Sequence, residues 1–187
     1  MLYYLYGQYN IQGNPMEDAI KLGYIAGIID GEGSIMLVGA RHKSFMKLYN
    51  RKYPGYYPNV RVGMIHREPL DLIVSYTGIG KIEKEKSYAN KRPMYRWRLT
   101  RKQEIYDFLK LVGPHLIEKR EQAKLLLEYI ENNACCHRYN PITPEIAEWR
   151  RSYWIKMRTL NGIASPATTE PFGKRGRSKS VRLETTV

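Results

Sequence analysis

Apolar positions change period several times along the chain, and each change marks an expected element. After a Tyr- and Gly-rich opening, residues 1–13, which reads as an irregular arm, Asn14-Pro15-Met16-Glu17 has the chemistry of a helix start. Asn14 can cap, Pro15 suits the first turn and Glu17 can close a capping box. The helix is expected to run to about Asp30, to stop at Gly31 to Gly33, and to hand over to a strand over Ser34 to Val38. A second strand is read from Val60, Val62 and Met64 alternating with Arg61, Gly63 and Ile65. Between the strands, residues 39–58 carry Arg41, His42, Lys43, Lys47, Arg51 and Lys52 among tyrosines, which suits an exposed connection with charge of one sign.

The pattern then repeats. A short helix is expected from Arg67-Glu68-Pro69 to Thr77-Gly78, followed by a strand pair over Lys81 to Tyr88 and Met94 to Thr100. Thr100 and Gln103 have capping-box spacing and open a helix through Val112. After Gly113-Pro114 a long amphipathic helix through about Asn132 offers Leu116, Leu125, Leu126, Tyr129 and Ile130 as its apolar face. Thr143-Pro144 opens a last helix, containing Trp149, Trp154 and Leu160, that stops at Gly162. The expected fold is α+β, one domain over residues 14–162 with an antiparallel sheet carrying its helices on one face. Residues 163–187, small, Pro-containing and then basic, read as a mobile tail.

The other sheet face is left for a partner. In Tyr95-Arg96-Trp97-Arg98-Leu99 the alternation sends Tyr95, Trp97 and Leu99 inward and Arg96 and Arg98 out, with Arg61 joining them if the faces correspond. Composition sharpens this picture: 31 Lys and Arg against 18 Asp and Glu give a net charge of +13, an excess that points to a polyanion such as nucleic acid. No apolar run approaches the roughly 18 residues of a membrane span. Cys135 and Cys136 are adjacent and, even with His137, lack the spacing of a metal site, so they read as reduced thiols. With no secretory signal evident, the expectation is an intracellular protein, in a prokaryotic cytoplasm or an organelle.

One helix is unusual. Ala19, Gly23, Gly27 and Gly31 recur every four residues, forming a ridge almost without side chains, flanked by Ile28 and Ile29 and ending beside Asp30 and Glu32. Each interior glycine costs a helix about 1 kcal/mol relative to alanine, so the series requires a compensating close contact with another helix.

The stretch Ile25-Ala26-Gly27-Ile28-Ile29-Asp30-Gly31-Glu32-Gly33 resembles the nine-residue signature of the LAGLIDADG homing endonucleases. The resemblance extends through residues 67–82, 95–99 and 112–130, about two thirds of the chain in the right order. It implies an αββαββα saddle, here with a C-terminal helix added. Only one signature is present, which in this family implies a homodimer whose signature helices cross at the two-fold axis, with Ala19, Gly23, Gly27 and Ile28 at the seam. It further implies that Glu32, with the Gly31 carbonyl, ligates Mg2+ or another divalent cation such as Mn2+, and that Asp30 is structural. A glutamate for the commoner aspartate lengthens the reach by one methylene. Lys119 matches the family's basic residue near the scissile phosphate. Met64 stands where many relatives carry a polar residue that orders water, with His66 or Arg67 available to compensate.

The implied function is site-specific hydrolysis of both strands of a long pseudo-palindromic DNA site, by an intron-encoded, free-standing enzyme. The contacts to DNA would come from Arg41, Lys43, Lys47 and Arg51 in the connection and from Arg61, Lys81, Arg96 and Arg98 on the sheet, with Glu83 and Glu85 available to accept from cytosine. Two alternatives use the same scaffold: a maturase that binds intron RNA to assist splicing, and a DNA-binding regulator that does not cut. Glu32 and Lys119 argue against the regulator, and Met64 argues for it.

Overall fold

A computed structural model of the chain describes residues 14–39, 53–85, 93–132 and 142–163. The elements follow in the order α1 (Pro15–Glu32), β1 (Gly33–Gly39), β2 (Tyr56–Met64), α2 (Glu68–Thr77), β3 (Lys81–Lys84), β4 (Tyr95–Leu99), α3 (Lys102–Val112), a 3-10 turn (Gly113–His115), α4 (Arg120–Asn132) and α5 (Pro144–Leu160). The fold is therefore α+β, the expected αββαββα order with two further helices after it. The arm, the basic tail beyond Ile163, the Cys135-Cys136-His137 cluster and Arg41, Lys43, Lys47 and Arg51 lie outside the described residues.

The four strands form one antiparallel sheet in the order β1-β2-β4-β3. Period-two alternation decides its faces. Ile35, Leu37, Val60, Val62, Trp97 and Leu99 are buried on the helix side, where they meet Ile25 and Ile29 of α1, Phe108 and Leu109 of α3, and Leu126 and Tyr129 of α4. Each fully buried aliphatic side chain of this kind contributes about 1.5–3 kcal/mol. The Trp97 ring lies against Phe108 at 5.0 Å and its indole N–H donates to the Ile79 carbonyl at 3.1 Å. Beyond α4, the α5 helix covers the β1 side of the sheet: Asn161 donates to the Ile35 carbonyl and the Trp149 ring stacks on Tyr129. Among the described residues no helix is long and apolar enough to cross a membrane.

The turn into β3 tolerates no side chain at Gly80. Its φ is +90°, and a Cβ there would stand 2.2 Å from the Trp97 indole nitrogen. Gly80→Ala is expected to cost roughly 2 kcal/mol or more, read as a lower urea midpoint with an unchanged slope.

Several sequence expectations are corrected. Asn14 does cap α1, accepting from the Met16 N–H at 3.1 Å, but Glu17 pairs with Lys21 instead of closing a box. The box at Thr100 does not form either: Arg101 is the N-cap with no side-chain bond, and Gln103 turns to Asp107. Helix α1 runs two residues further than expected. At its end a Cβ on Gly33 would sit 2.5 Å from the Ile29 carbonyl oxygen, so only glycine allows the direct switch into β1. Strand β2 begins at Tyr56, inside the segment read as a connection, and β3 ends at Lys84. The long helix after Gly113 is in fact a 3-10 turn, an extended break at Leu116 and then α4. The reason for that break lies at the candidate site.

Candidate metal and nucleic-acid site

Two faces of α1 have opposite fates. Leu22, Ile25, Ala26, Ile28 and Ile29 are buried against the sheet and α3, whereas Gly23, Gly27 and Gly31 are exposed, and among the described residues a Cβ built on any of the three meets nothing within 4 Å. The glycine ridge thus faces away from the chain's own core. Fitting this helix under its own sheet does not explain it. Ile28, expected at a seam, is only 8% exposed and packs in the core of its own chain, because it falls on the sheet-facing side of the helix. The apolar residues that do flank the ridge are Met16, Ile20 and Tyr24, at 70%, 65% and 52% exposure. They repeat every four residues one step from the Ala19-Gly23-Gly27 row, a spacing that could have been read from the sequence.

At the C-terminal end of α1 the two acids have different jobs. Asp30 accepts from the Ile117 N–H at 2.7 Å and the Lys119 N–H at 3.0 Å, while the Lys119 ammonium donates to the Asp30 main-chain carbonyl. One side chain of the first helix thereby caps the segment entering α4, which breaks the long helix at Leu116. Burial works to raise the Asp30 carboxyl, but the N–H groups of Ile117, Lys119 and Glu118 and then the Lys119 charge outweigh it and hold it below its ordinary value. Asp30 stays ionised at neutral pH. Asp30→Ala is expected to destabilise the fold by about 1–2 kcal/mol, seen in urea unfolding, because the Ile117 and Lys119 N–H groups lose their capping acceptor.

Glu32, by contrast, is exposed and makes no hydrogen bond or ion pair among the described residues. It stands two residues beyond Asp30, beside the terminal carbonyls of α1, which lack intrahelical partners and carry partial negative charge. The carboxylate, these carbonyls and the Lys119 ammonium thus meet at one helix end. No group of three His, Cys, Asp or Glu that could hold a metal occurs among the described residues. Among the described residues this helix end offers the Glu32 carboxylate and main-chain carbonyls, oxygen donors of the hard type that Mg2+ prefers, and further oxygen ligands would have to come from outside them. His66 and Arg67 lie between β2 and α2. His66 is exposed, and Arg67 turns back to Asp71 at 3.1 Å. The structure brings neither into contact with Glu32 or Lys119.

The open face of the sheet is basic in rows. The registers Ser34↔Arg61, Arg61↔Arg98 and Lys81↔Arg98 set Arg61, Arg98 and Lys81 side by side across three strands, on the face opposite the core. Arg96 shares that face one row along, level with Gly63 and Glu83. Two of these cations are already paired: Arg98 with Glu83 at 2.7 Å and Arg96 with Glu85 at 2.6 Å.

No family model matches the sequence, and no curated protein does. Solved structures do resemble it. The homing endonuclease I-CvuI in complex with its target superposes with a TM-score of 0.61 at 22% identity, covering 78% of this chain and 84% of that one. The archaeal intron-encoded homing endonuclease I-Vdi141I complexed with DNA gives 0.58 at 18% identity over the same shares. The group I intron-encoded homing endonuclease I-CeuI complexed with DNA gives 0.55 at 14%, covering 78% and 70%. The helix–strand pair–helix–strand pair–helix order, the single sheet with one open face, and the signature helix running directly into its first strand are accordingly the LAGLIDADG homing endonuclease fold.

Proposed function

We propose that the chain acts as a homodimeric DNA endonuclease that uses Mg2+ or a similar divalent cation to hydrolyse one phosphodiester on each strand of a long, pseudo-palindromic site. The observation that carries this reading is the outward-facing glycine ridge that ends in a free Glu32. Two such ridges crossing on a two-fold axis would bring their C-terminal ends together, so that each chain supplies the acid the other lacks. A divalent cation bound between them would activate water and offset charge on the attacking and leaving oxygens.

The chain's own residues do the rest. Glu32 provides the anionic ligand, with the Gly31 carbonyl beside it. Lys119, seated on the Asp30 carbonyl, is held where a cation can stabilise negative charge developing on the phosphate. Asp30 is a positioning residue, since its carboxylate is spent on the N–H groups of Ile117 and Lys119. Arg61 and Lys81 supply positive charge on the sheet face, and Arg41, Lys43, Lys47 and Arg51 add to it in the same chain. The solved homing endonucleases of this fold that are in complex with DNA support the choice of partner. The test is cleavage of a randomised duplex library in Mg2+ by the full chain beside Glu32→Gln.

A further inference from the structure

The two arginine–glutamate pairs on the open sheet face are built alike. Register sets Arg98 across from Lys81 and Arg96 across from Glu83, yet each guanidinium reaches diagonally, in the same direction, to the carboxylate two residues further on. They are one motif displaced by two residues. The four side chains keep between a third and a half of their surface exposed. A guanidinium has five donors and a carboxylate about four acceptor sites, so one mutual bond leaves most of each available to a ligand.

That ligand is specified by the order of the groups. Across the major groove a G·C pair presents two guanine acceptors, N7 and O6, and then the cytosine N4 amino donor. An arginine fixed beside a glutamate is the complement, with donors over guanine and an acceptor over cytosine. An A·T pair opposes it twice, because the adenine N6 amino group meets the guanidinium and the thymine O4 meets the carboxylate. Building on the proposed DNA endonuclease, we infer that Arg98 with Glu83 and Arg96 with Glu85 each read one G·C pair. Two residues of strand advance about 6.7 Å and one base step about 3.4 Å, so the two pairs should be separated by a single intervening base pair. Two-fold symmetry repeats the pattern, inverted, in the other half-site. The carboxylates have a second effect, since they occupy the arginines and lower attraction to phosphates of any sequence.

The experiment is selection by binding of the full chain from a randomised duplex pool, with Ca2+ as the added metal. The wild type is expected to enrich two G·C pairs, one base pair apart, in each half-site. Glu83→Ala and Arg98→Ala should lose the preference at the same position, by about tenfold, and Glu85→Ala and Arg96→Ala at the other. The glutamate variants should also bind random duplex more tightly and with a steeper salt dependence. Thermal midpoints near that of the wild type would show that these exposed substitutions leave the fold intact, and Glu83→Gln, which keeps the side-chain shape, repeats the test if alanine does not. If the wild type enriches a site but the partners of a pair act at different positions, or G·C preference survives their loss, the inference falls and the DNA reading stands. Enrichment of no sequence at all would remove both.

Discussion

Gly27→Leu is expected to leave the chain folded and, under the proposed dimer, to abolish self-association. Within one chain none of the described residues opposes the new side chain, because a Cβ at Gly27 meets none of their atoms within 4 Å. Leucine is also the better helix former by about 0.8 kcal/mol, so the isolated fold should gain slightly in stability. A crossing of two bare ridges behaves in the opposite way. Each leucine would push the helices apart, at a cost of about 1–3 kcal/mol per copy, and symmetry imposes the cost twice. The two effects differ in sign, which makes the variant informative. Light scattering on the eluting protein should report close to 21.9 kDa instead of twice that mass, while the melting midpoint holds or rises. DNA cleavage should disappear with the dimer, although each chain retains Glu32 and Lys119. A leucine variant that remains dimeric would place the contact between copies elsewhere on the molecule.

How much of this was legible in the sequence depends on the range of the interactions. The alternation in residues 95–99 and the four-residue spacing of the glycines are local patterns, and they place Arg96 and Arg98 on the open face and expose the α1 ridge as observed. Ile28 packs on the flank that meets the sheet, which the spacing alone does not reveal, because a ridge has two flanks. The Met16-Ile20-Tyr24 row had an equally plain signal. The failures that could not have been avoided are the long-range ones. Asp30 and Lys119 are separated by 89 positions in the chain, and nothing in the residues from Gly113 to Asn132 says that a carboxylate from the first helix will cap the segment there and interrupt it. The capping boxes at Asn14 and Thr100 failed for another reason. Glu17 and Gln103 each have a partner four residues along the same helix, Lys21 and Asp107, and those pairs form in place of the backward reach to the cap.

Glu32→Gln is expected to remove cleavage while sparing recognition. Glutamine keeps the length, the shape and one carbonyl oxygen of the side chain, so neither α1 nor the seam is disturbed. What it removes is the negative charge that would hold a divalent cation, and in a symmetric dimer it removes both copies at once. If that charge is the anionic part of the metal site, single-turnover cutting in Mg2+ should fall by roughly three orders of magnitude or more. Affinity should respond differently. The sheet cations are unchanged and a carboxylate has been taken from beside the phosphates, so binding should be as tight as in the wild type or tighter, with the same dependence on salt. Cutting by the variant at the wild-type rate would show that Glu32 is not the ligand. Loss of binding and cutting in parallel would show instead that the side chain supports the assembly rather than the chemistry, since Asp30, already spent on Ile117 and Lys119, is not free to take over its role.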